Sequence, residues 1–307
     1  MNSLGLKQIS YIRNADSIIE LNKGFSHDKK YVIDNTYLLR IFPIEDMKSR
    51  QKEFNTLNNL SMYSDYVPRG IEFGALKDTS ESYMILSYLP GVDAEVSLNS
   101  LTYIEQYSSG FKAGKELKKL HKLSAPSGYP SWYTVKKQKS DKYLLDLKKI
   151  NVDDEMRMML ENYIRDNEAL MKNRPNKFQH DDFHPSNILI NKNQFSGIND
   201  FQRMDWGDPI HDLQKLGFFS KPVSIEFTKG IIDGYHNGKE ISNLFWELFT
   251  FYSAVHIVSA LVWGNKTGQE QYNLLHKYSL DVISDHDNFQ SVIPEWYRNS
   301  THYLKKS

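Results

Sequence analysis

The sequence predicts an α+β protein in two lobes, a small antiparallel β-sheet with one helix followed by a larger, mainly helical lobe. Residues 1–90 carry short apolar runs separated by tight turns, which is the pattern of antiparallel strands. Beyond Pro90-Gly91 the apolar residues recur at helical spacing over longer segments. A chain of 307 residues is long enough for two lobes around a cleft, so we assign 1–90 to the first and 91–307 to the second.

The strands predicted for the first lobe end at turn signals. A turn-like stretch at 22–27 separates the first two strands, Asp34-Asn35 separates the second from the third, and Pro43 ends the third. Between Met47 and Leu60 the apolar spacing becomes helical. The predicted strands cover residues 17–21, 30–33, 37–42, 71–75 and 83–89, and the predicted helix covers 46–60.

The second lobe is predicted to consist mainly of helices. A polar loop at 178–191, and a short β-like run that ends at Asp200, interrupt the helical pattern. The predicted helices cover residues 103–123, 142–150, 153–172, 208–219, 224–235, 240–263 and 269–284.

The composition excludes several classes of partner. Lys plus Arg equals Asp plus Glu at 38 each, so no overall charge favours nucleic acid or a membrane surface. The chain has no cysteine, which excludes disulfides and thiolate metal sites. The N-terminus lacks the apolar core of a signal peptide, and the most apolar stretch, 252–263, is too short to span a bilayer. We therefore expect a cytoplasmic protein, a monomer or simple dimer, without nucleic-acid or membrane partners.

The polar loop contains the residues with the clearest chemical meaning. It reads His180-Asp-Asp-Phe-His-Pro-Ser-Asn187, and Asn-Asp200-Phe-Gln follows after an apolar segment. Carboxylates framed by apolar residues have to be paired or to bind a metal, because a buried charge is costly. Transfer of a phosphoryl group to a hydroxyl needs such a set of groups. We predict that Asp182 orients the hydroxyl and that Asn187 and Asp200 hold Mg²⁺ against the phosphates.

The two histidines of the loop leave alternatives open. His180 is predicted to orient the loop backbone. His184 either contacts a substrate or supports the loop. A zinc site formed by both histidines and Asp182 is a weaker hypothesis, because no further His or Cys lies nearby in the sequence.

These blocks resemble the aminoglycoside phosphotransferase and choline-kinase-like group of small-molecule kinases. The usual pattern of that group is His-Gly-Asp-x-His-x-x-Asn followed by Ile-Asp-Phe-Gly. A third block, Trp206-Gly-Asp-Pro-Ile-His-Asp-Leu213, resembles its Gly-Asp-Pro-x-x-Asp-Leu segment. The three blocks follow in order within about 35 residues, which makes chance agreement improbable. The resemblance implies a bilobal, protein-kinase-like fold that uses ATP, with GTP possible, and Mg²⁺.

The resemblance also implies a nucleotide site in the first lobe and at the junction between the lobes. A short loop would cover the phosphates, a cation on a strand would contact them, a helical carboxylate would hold that cation, and the hinge backbone would bind adenine. The corresponding residues are Gly24 and Ser26, Arg40, Glu53, and Ser87 with Leu89.

Three positions depart from the pattern of the group. Arg40 stands where protein kinases have Lys, and a guanidinium also binds phosphate. Asp181 replaces the Gly of His-Gly-Asp and adds a negative charge beside Asp182. Gln202 replaces the Gly that usually follows Asp-Phe. Asp208 and Asp212 are predicted to hold the metal loop by capping and hydrogen bonding.

The acceptor is predicted from weaker signals. Residues 178–307 contain fifteen acidic and eleven basic residues, a net of −4 that favours a cationic acceptor, most of all an aminoglycoside-type antibiotic. Candidate acceptor contacts are Asp181, His184 and Glu247. A macrolide, choline, thiamine, homoserine or a sugar fits the motifs as well. A non-catalytic ATP-binding kinase-like protein is disfavoured because Asp182, Asn187 and Asp200 are all present, and a metal-dependent hydrolase leaves Arg40 unexplained.

Overall fold

A computed structural model describes residues 7–21 and 28–299. Within them, the first sheet has five antiparallel strands in the order β1-β2-β3-β5-β4. Its strands are β1 Ile18–Leu21, β2 Lys29–Ile33, β3 Tyr37–Pro43, β4 Gly70–Ala75 and β5 Glu81–Ser87. The short helix α1, Ser10–Arg13, precedes the sheet, and a 3₁₀ turn at Ile44–Asp46 leads into helix α2, Met47–Leu60.

The two faces of this sheet belong to different apolar clusters. One face, with Leu39 and Ile85, forms a small cluster together with Ile9. The other face, with Phe42 and Met84, joins the main core of the molecule. The predicted strands are confirmed with small shifts in their ends. The fifth strand ends at Ser87 rather than at residue 89.

The second part of the chain is mainly helical, as predicted. Its helices are α3 Ala94–Ser97, α4 Tyr103–Leu120, α5 Trp132–Leu147, α6 Asp154–Asn167, α7 Ile225–Tyr235, α8 Asn243–Thr267, α9 Gln269–Asp285 and α10 Glu295–Arg298. Short 3₁₀ turns cover Leu98–Ser100, Glu168–Met171, Pro185–Asn187, Phe201–Arg203 and Pro209–Lys215, and a π-helical turn covers Leu216–Ser220.

Two small antiparallel sheets frame the polar loop. The strands β6 Val92–Asp93, β8 Ile188–Asn191 and β9 Gln194–Ile198 form one sheet, and β7 Lys177–Gln179 pairs with β10 Asp205–Gly207 in the other. The connection from the first sheet to β6 passes Gly91, whose φ of 146° suits glycine. A Cβ there would lie 2.8 Å from the carbonyl oxygen of Ile190. The division of the chain at residue 90 stays a prediction.

One predicted helix was wrong in its extent. The helix expected at 142–150 is α5, which begins ten residues earlier at Trp132. Ser131 caps its first turn by accepting a hydrogen bond from the Thr134 backbone nitrogen at 3.3 Å. The first half of α5 is rich in polar residues, and only tertiary contacts bury Lys136 and Ser140. The segment predicted as a helix at 208–219 is instead a 3₁₀ turn followed by a π-helical turn.

Helix α8 is the centre of the core. Its 25 residues are long and apolar enough to cross a membrane, but 83% of its most apolar window is buried inside the protein. Interior burial explains that apolarity without a bilayer. The helices α4 and α7 pack backbone against backbone, since a Cβ added at Gly114 would lie 2.0 Å from the Ile231 carbonyl oxygen.

Candidate active site

The loop between β7 and β8 and the end of β9 come together through the β8–β9 hairpin. Ile188 pairs with Ile198, and the Asn199 backbone nitrogen donates to the Asn187 carbonyl oxygen at 3.0 Å. The hairpin register therefore places Asn187 beside the segment that leads to Asp200. The two segments predicted from separate motifs to bind metal are thus joined by a backbone hydrogen bond.

Asp212 holds the polar loop in place through hydrogen bonds to its backbone. Its two carboxylate oxygens accept from the backbone nitrogens of His180 and Asp181, each at 2.7 Å. The His121 ring nitrogen Nε2 lies 3.0 Å from the same carboxylate. Asp208 caps the following 3₁₀ turn and binds Arg174 through two nitrogen atoms at 2.6 and 3.0 Å. The predicted hydrogen bonding of Asp212 to the loop containing Asp182 is confirmed, whereas the Asp208 carboxylate shows the predicted capping but contacts Arg174 and Tyr252 instead of the loop.

Asp181 occupies a backbone conformation that explains the glycine usual at its position. Its φ is 58°, in the left-handed region that glycine enters freely and that Asp enters at low cost. Its carboxylate lies 3.4 Å from Nδ1 of His211. Burial raises the pKa of Asp181, although Lys215 and Lys136 act against this rise. The side chain is therefore held by contacts with the protein interior.

Asp182 is the most densely contacted carboxylate of the loop. Lys215 Nζ lies 2.6 Å from its Oδ1, and His184 Nε2 lies 3.5 Å from the same oxygen. The Asn187 amide nitrogen lies 3.3 Å from Oδ2, and Arg203 Nε lies 3.9 Å from it. The two oxygens of this carboxylate thus have separate sets of neighbours.

These neighbours keep Asp182 ionised. Partial burial alone would raise its pKa, but the hydrogen bond from His184 and the charge of Lys215 outweigh burial. The pKa of Asp182 lies well below its usual range as a result. A carboxylate with such a low pKa stays ionised and is a poor acceptor of a full proton.

Asn187 and Asp200 fit a magnesium ion by the chemistry of their donors. The Asn187 amide nitrogen donates to Asp182, so the oxygen of the same amide is the atom that a cation would use. Asp200 is exposed at the start of a 3₁₀ turn, with a φ of 57°. Carboxylate and amide oxygens are the protein ligands that Mg²⁺ prefers.

One of the two histidines in the zinc hypothesis, His180, already uses both ring nitrogens within the protein. His180 Nε2 lies 2.8 Å from the Asn199 carbonyl oxygen, and its Nδ1 accepts from the Asp182 backbone nitrogen at 3.3 Å. Both ring nitrogens thus orient the loop, as predicted. Asp181, His211 and Asp212 also lie close enough to share an ion. Asp212, however, already accepts two backbone hydrogen bonds, which makes this group a support of the loop.

Arg40 lies in a network of buried charges at the first sheet. Glu53 Oε1 accepts from Arg40 Nη1 at 2.6 Å, so the predicted tether is present. Asp28 Oδ2 accepts from Arg40 Nε and Nη2 at 2.9 and 2.5 Å. Arg50 Nη2 donates to the other Asp28 oxygen at 2.6 Å. Three of the five N–H groups of Arg40 thus donate to carboxylates, and the other two have no partner among residues 7–21 and 28–299.

Lys30 adds a further cation to the same face. It pairs with Arg40 across β2 and β3, so both side chains leave the sheet on the same side. Burial and the charge of Arg40 lower its pKa, and the charge of Asp200 acts in the opposite direction. Lys30 is therefore the cross-strand neighbour of the predicted phosphate contact, within electrostatic reach of Asp200.

The predicted hinge contacts lie where the first sheet ends. The Ser87 backbone nitrogen donates to the Arg69 carbonyl oxygen at 2.8 Å, so this nitrogen is already used within the protein. Leu89 follows, and its side chain packs over Gly197. Gly24 and Ser26 lie outside the described residues.

Of the three predicted acceptor contacts, Glu247 is the one that does not lie beside Asp182. It is near the start of α8, where its charge acts on Tyr163. His256 is nine residues further along α8, about 13 Å along the helix axis, and is within electrostatic reach of Asp182. The structure places Asp181 and His184 beside Asp182 and places Glu247 elsewhere.

Sequence reasoning missed the lysine beside Asp182 and the additional charged residues around Arg40. Lys215 comes three residues after Asp212, but a lysine in an apolar segment carries no signal of its partner. Asp28 and Arg50 likewise join Arg40 only through the tertiary fold. Charge pairs between distant residues cannot be read from local patterns.

The site and the fold define a kinase-type enzyme, a phosphotransferase with a bilobal, protein-kinase-like α+β fold. The family described as the phosphotransferase enzyme family (APH) matches residues 17–245, and the chain belongs to this family. No curated protein sequence matches it.

Solved structures of aminoglycoside phosphotransferases share the fold. ADP-bound APH(2'')-Ib is 18% identical, with a TM-score of 0.64 and coverage of 97% of this chain and 99% of that one. The GDP complex of aminoglycoside 2'-phosphotransferase-IIIa is 15% identical, with a TM-score of 0.69 and coverage of 92% and 99%. A thermostable mutant of APH(4)-Ia, with AMP-PNP and hygromycin B, is 13% identical, with a TM-score of 0.64 and coverage of 92% and 98%.

Proposed function

We propose that the protein transfers the γ-phosphate of ATP to a hydroxyl group of a small molecule. The arrangement around Asp182 carries this proposal. One oxygen of its carboxylate faces Lys215 and the other faces Asn187, whose backbone is bonded to the residue before Asp200. A carboxylate for the hydroxyl and two oxygen ligands for a cation would thus lie close together, which supports phosphoryl transfer.

Asp182 would act mainly by orientation. Its low pKa suits a carboxylate that accepts a hydrogen bond from the acceptor hydroxyl and leaves proton loss until late in the reaction. Lys215 and Asn187 keep the carboxylate from rotating. Most of the rate gain would then come from positioning and charge neutralisation.

Asn187 and Asp200 would hold Mg²⁺, which supplies neutralisation of phosphate charge when bound. Arg40 would offer its two remaining N–H groups to the phosphates while Asp28 and Glu53 keep its side chain in place. Solved neighbours hold ADP, GDP and AMP-PNP, which supports a nucleotide at this place and leaves ATP and GTP both as candidates. The Ser87 carbonyl oxygen and the Leu89 backbone would meet the base.

An aminoglycoside is the acceptor class that the solved structural neighbours support. Structural neighbours have been solved in complex with gentamicin, streptomycin, kanamycin and hygromycin B. A protein acting on such a compound in the cytoplasm would confer antibiotic resistance. At 12–18% identity this likeness concerns the fold, and the acceptor has to be argued from the residues beside Asp182.

The test is the variant Asp182→Asn, assayed for ADP release with ATP, Mg²⁺ and a panel of hydroxyl compounds. We expect acceptor-stimulated ADP release to be lost while ATP affinity, measured by calorimetry, stays within about threefold, since Asp182 faces the acceptor hydroxyl. Asp166→Asn, on α6, is the matched control. Unchanged turnover in Asp182→Asn would remove Asp182 from the mechanism. Tight ATP binding without any stimulating acceptor would favour a non-catalytic nucleotide-binding protein.

A further inference from the structure

Four buried charged side chains form a closed ring beside the predicted phosphate contact. Asp28 precedes β2, and Arg40 lies on β3. Arg50 and Glu53 lie one turn apart on α2. Arg40 bonds Asp28 at 2.5 Å and Glu53 at 2.6 Å, and Arg50 bonds the same two carboxylates at 2.6 and 3.2 Å. Each charge thus has two opposite charges beside it. We call these four residues the charge ring, and its formal charges sum to zero.

The resemblance to small-molecule kinases accounts for only half of the charge ring. It implies one cation for the phosphates and one helical carboxylate that holds it, here Arg40 and Glu53. Asp28 is a further carboxylate, and its Oδ2 accepts from Nε and Nη2 of Arg40 at 2.9 and 2.5 Å. These two nitrogens form an edge of the guanidinium that suits a phosphate as well as a carboxylate. Asp28 therefore occupies one anion-binding edge of Arg40.

The low exposure of the charge ring leaves the charge of Asp28 poorly screened. The side chains of Arg40 and Asp28 are 6% and 2% exposed, so solvent and salt weaken their interactions little. A phosphate oxygen on the remaining Nη2–H of Arg40 would lie about 5 Å from Oδ2 of Asp28, because both would bond the same nitrogen. Two negative charges at that distance repel each other.

The other charges on this side of the sheet do not change that sign. Lys30, the cross-strand neighbour of Arg40, is within electrostatic reach of both Arg40 and Asp28. Its positive charge attracts phosphates, and Asp28 opposes this attraction. Arg50 bonds the other oxygen of Asp28 and so neutralises part of the opposing charge.

We propose that Asp28 competes with the nucleotide phosphates for Arg40 and thereby lowers the affinity of the protein for ATP, while Arg50 weakens this competition. The inference rests on the proposed use of ATP and adds two determinants of nucleotide affinity to it. Neither residue is a catalytic residue, since both act through Arg40.

The first test is calorimetric binding of ATP, ADP and adenosine, with Mg²⁺, to the wild-type chain and to Asp28→Asn. We expect the Kd for ATP to fall about tenfold, the Kd for ADP to fall less and the Kd for adenosine to stay unchanged, because the repulsion that is removed depends on phosphate charge. Asp78→Asn is the matched control. It removes the same charge at an exposed turn where φ is 58°, a conformation that Asn also adopts.

Three results of this test overturn the inference. An ATP Kd in Asp28→Asn that equals or exceeds the wild-type value shows that Asp28 does not compete with phosphate. An equal gain for adenosine shows that the effect is not one of phosphate charge. The same gain in Asp78→Asn shows that it does not belong to the charge ring.

The second test uses Arg50→Gln, which acts on the same carboxylate with the opposite sign and serves if Asp28→Asn folds poorly. We expect the Kd for ATP to rise about tenfold, because the charge of Asp28 then bears on Arg40 alone. Arg157→Gln, which removes a pair with exposed Asp154 on α6, is the control. An ATP Kd in Arg50→Gln at or below that of Arg157→Gln overturns the inference. So does weaker ATP binding in both Asp28→Asn and Arg50→Gln, which is the result of a merely structural role.

These binding measurements also separate the inference from the proposed function. ATP binding and acceptor turnover without the expected opposite changes in Kd overturn the inference alone. The expected changes in Kd without turnover of any acceptor support the inference and overturn the transfer reaction. Failure of the wild type and of every variant to bind ATP overturns both.

Discussion

Removal of Lys215 tests whether the ion pair with Asp182 stabilises the fold and orients the carboxylate. The side chains of Lys215 and Asp182 are 11% and 17% exposed, and their charged atoms lie 2.6 Å apart. Breaking a buried pair by removing one partner costs about 3–5 kcal/mol. Asp182 keeps the hydrogen bond from Asn187 and its contact with His184. We therefore expect Lys215→Met to lose about 3 kcal/mol of unfolding free energy at pH 7, the low end of that range.

The pH dependence of this loss has a defined sign. The pKa of Asp182 is lowered in the folded protein, so its stabilising contribution is present above its unfolded pKa, about 4, and is lost as pH falls towards the folded value. In Lys215→Met the pKa of Asp182 rises towards its ordinary range. The difference in stability between wild type and variant should be full above about pH 5 and should narrow below about pH 4.

The assay is urea unfolding at several pH values, with Lys148→Met as the control. Lys148 forms an exposed pair with Glu161 at 2.9 Å, and exposed pairs contribute about 0.2–1 kcal/mol. Acceptor turnover should fall about tenfold or more in Lys215→Met, with little change in the KM for ATP, because the Asn187 side stays intact. The reasoning is refuted if Lys215→Met is as stable as Lys148→Met and turns over acceptor at the wild-type rate.

Two further predictions concern Lys30 and Lys136. Lys30→Gln should raise the KM for ATP about tenfold, because a cation near Arg40 and Asp200 is lost. The control Lys29→Gln, which removes an exposed pair with Glu81, should leave this KM unchanged. Equal KM values for the two variants in steady-state kinetics would exclude Lys30 from the nucleotide site. Burial lowers the pKa of Lys136 to about 7, so wild-type stability should increase from pH 7 to pH 10.5, on the order of 5 kcal/mol. Lys136→Met should lack this increase when stability is measured by thermal unfolding at each pH. If stability rose equally with pH in wild type and variant, the burial of an uncharged lysine would be contradicted.

Local pattern was sufficient for much of the architecture. Strands in the first sheet and most helices follow from alternation, helical spacing and turn residues, which act over neighbouring positions. Helix α5 shows the limit of such reasoning. Lys136 and Ser140 lie on its buried side, and only neighbouring elements make that side an interior surface.

The candidate site, too, was predictable from the sequence only in part. The motif around Asp182, Asn187 and Asp200 identified a phosphotransferase from the sequence alone, because a loop of defined length and a hairpin of defined register bring these residues together. The sequence net charge suggested a cationic acceptor. Only the tertiary structure brought Lys215 to Asp182, and Asp28 and Arg50 into one network with Arg40. Those contacts join residues far apart in the chain, and the charge that an acceptor meets depends on which side chains the fold places around it.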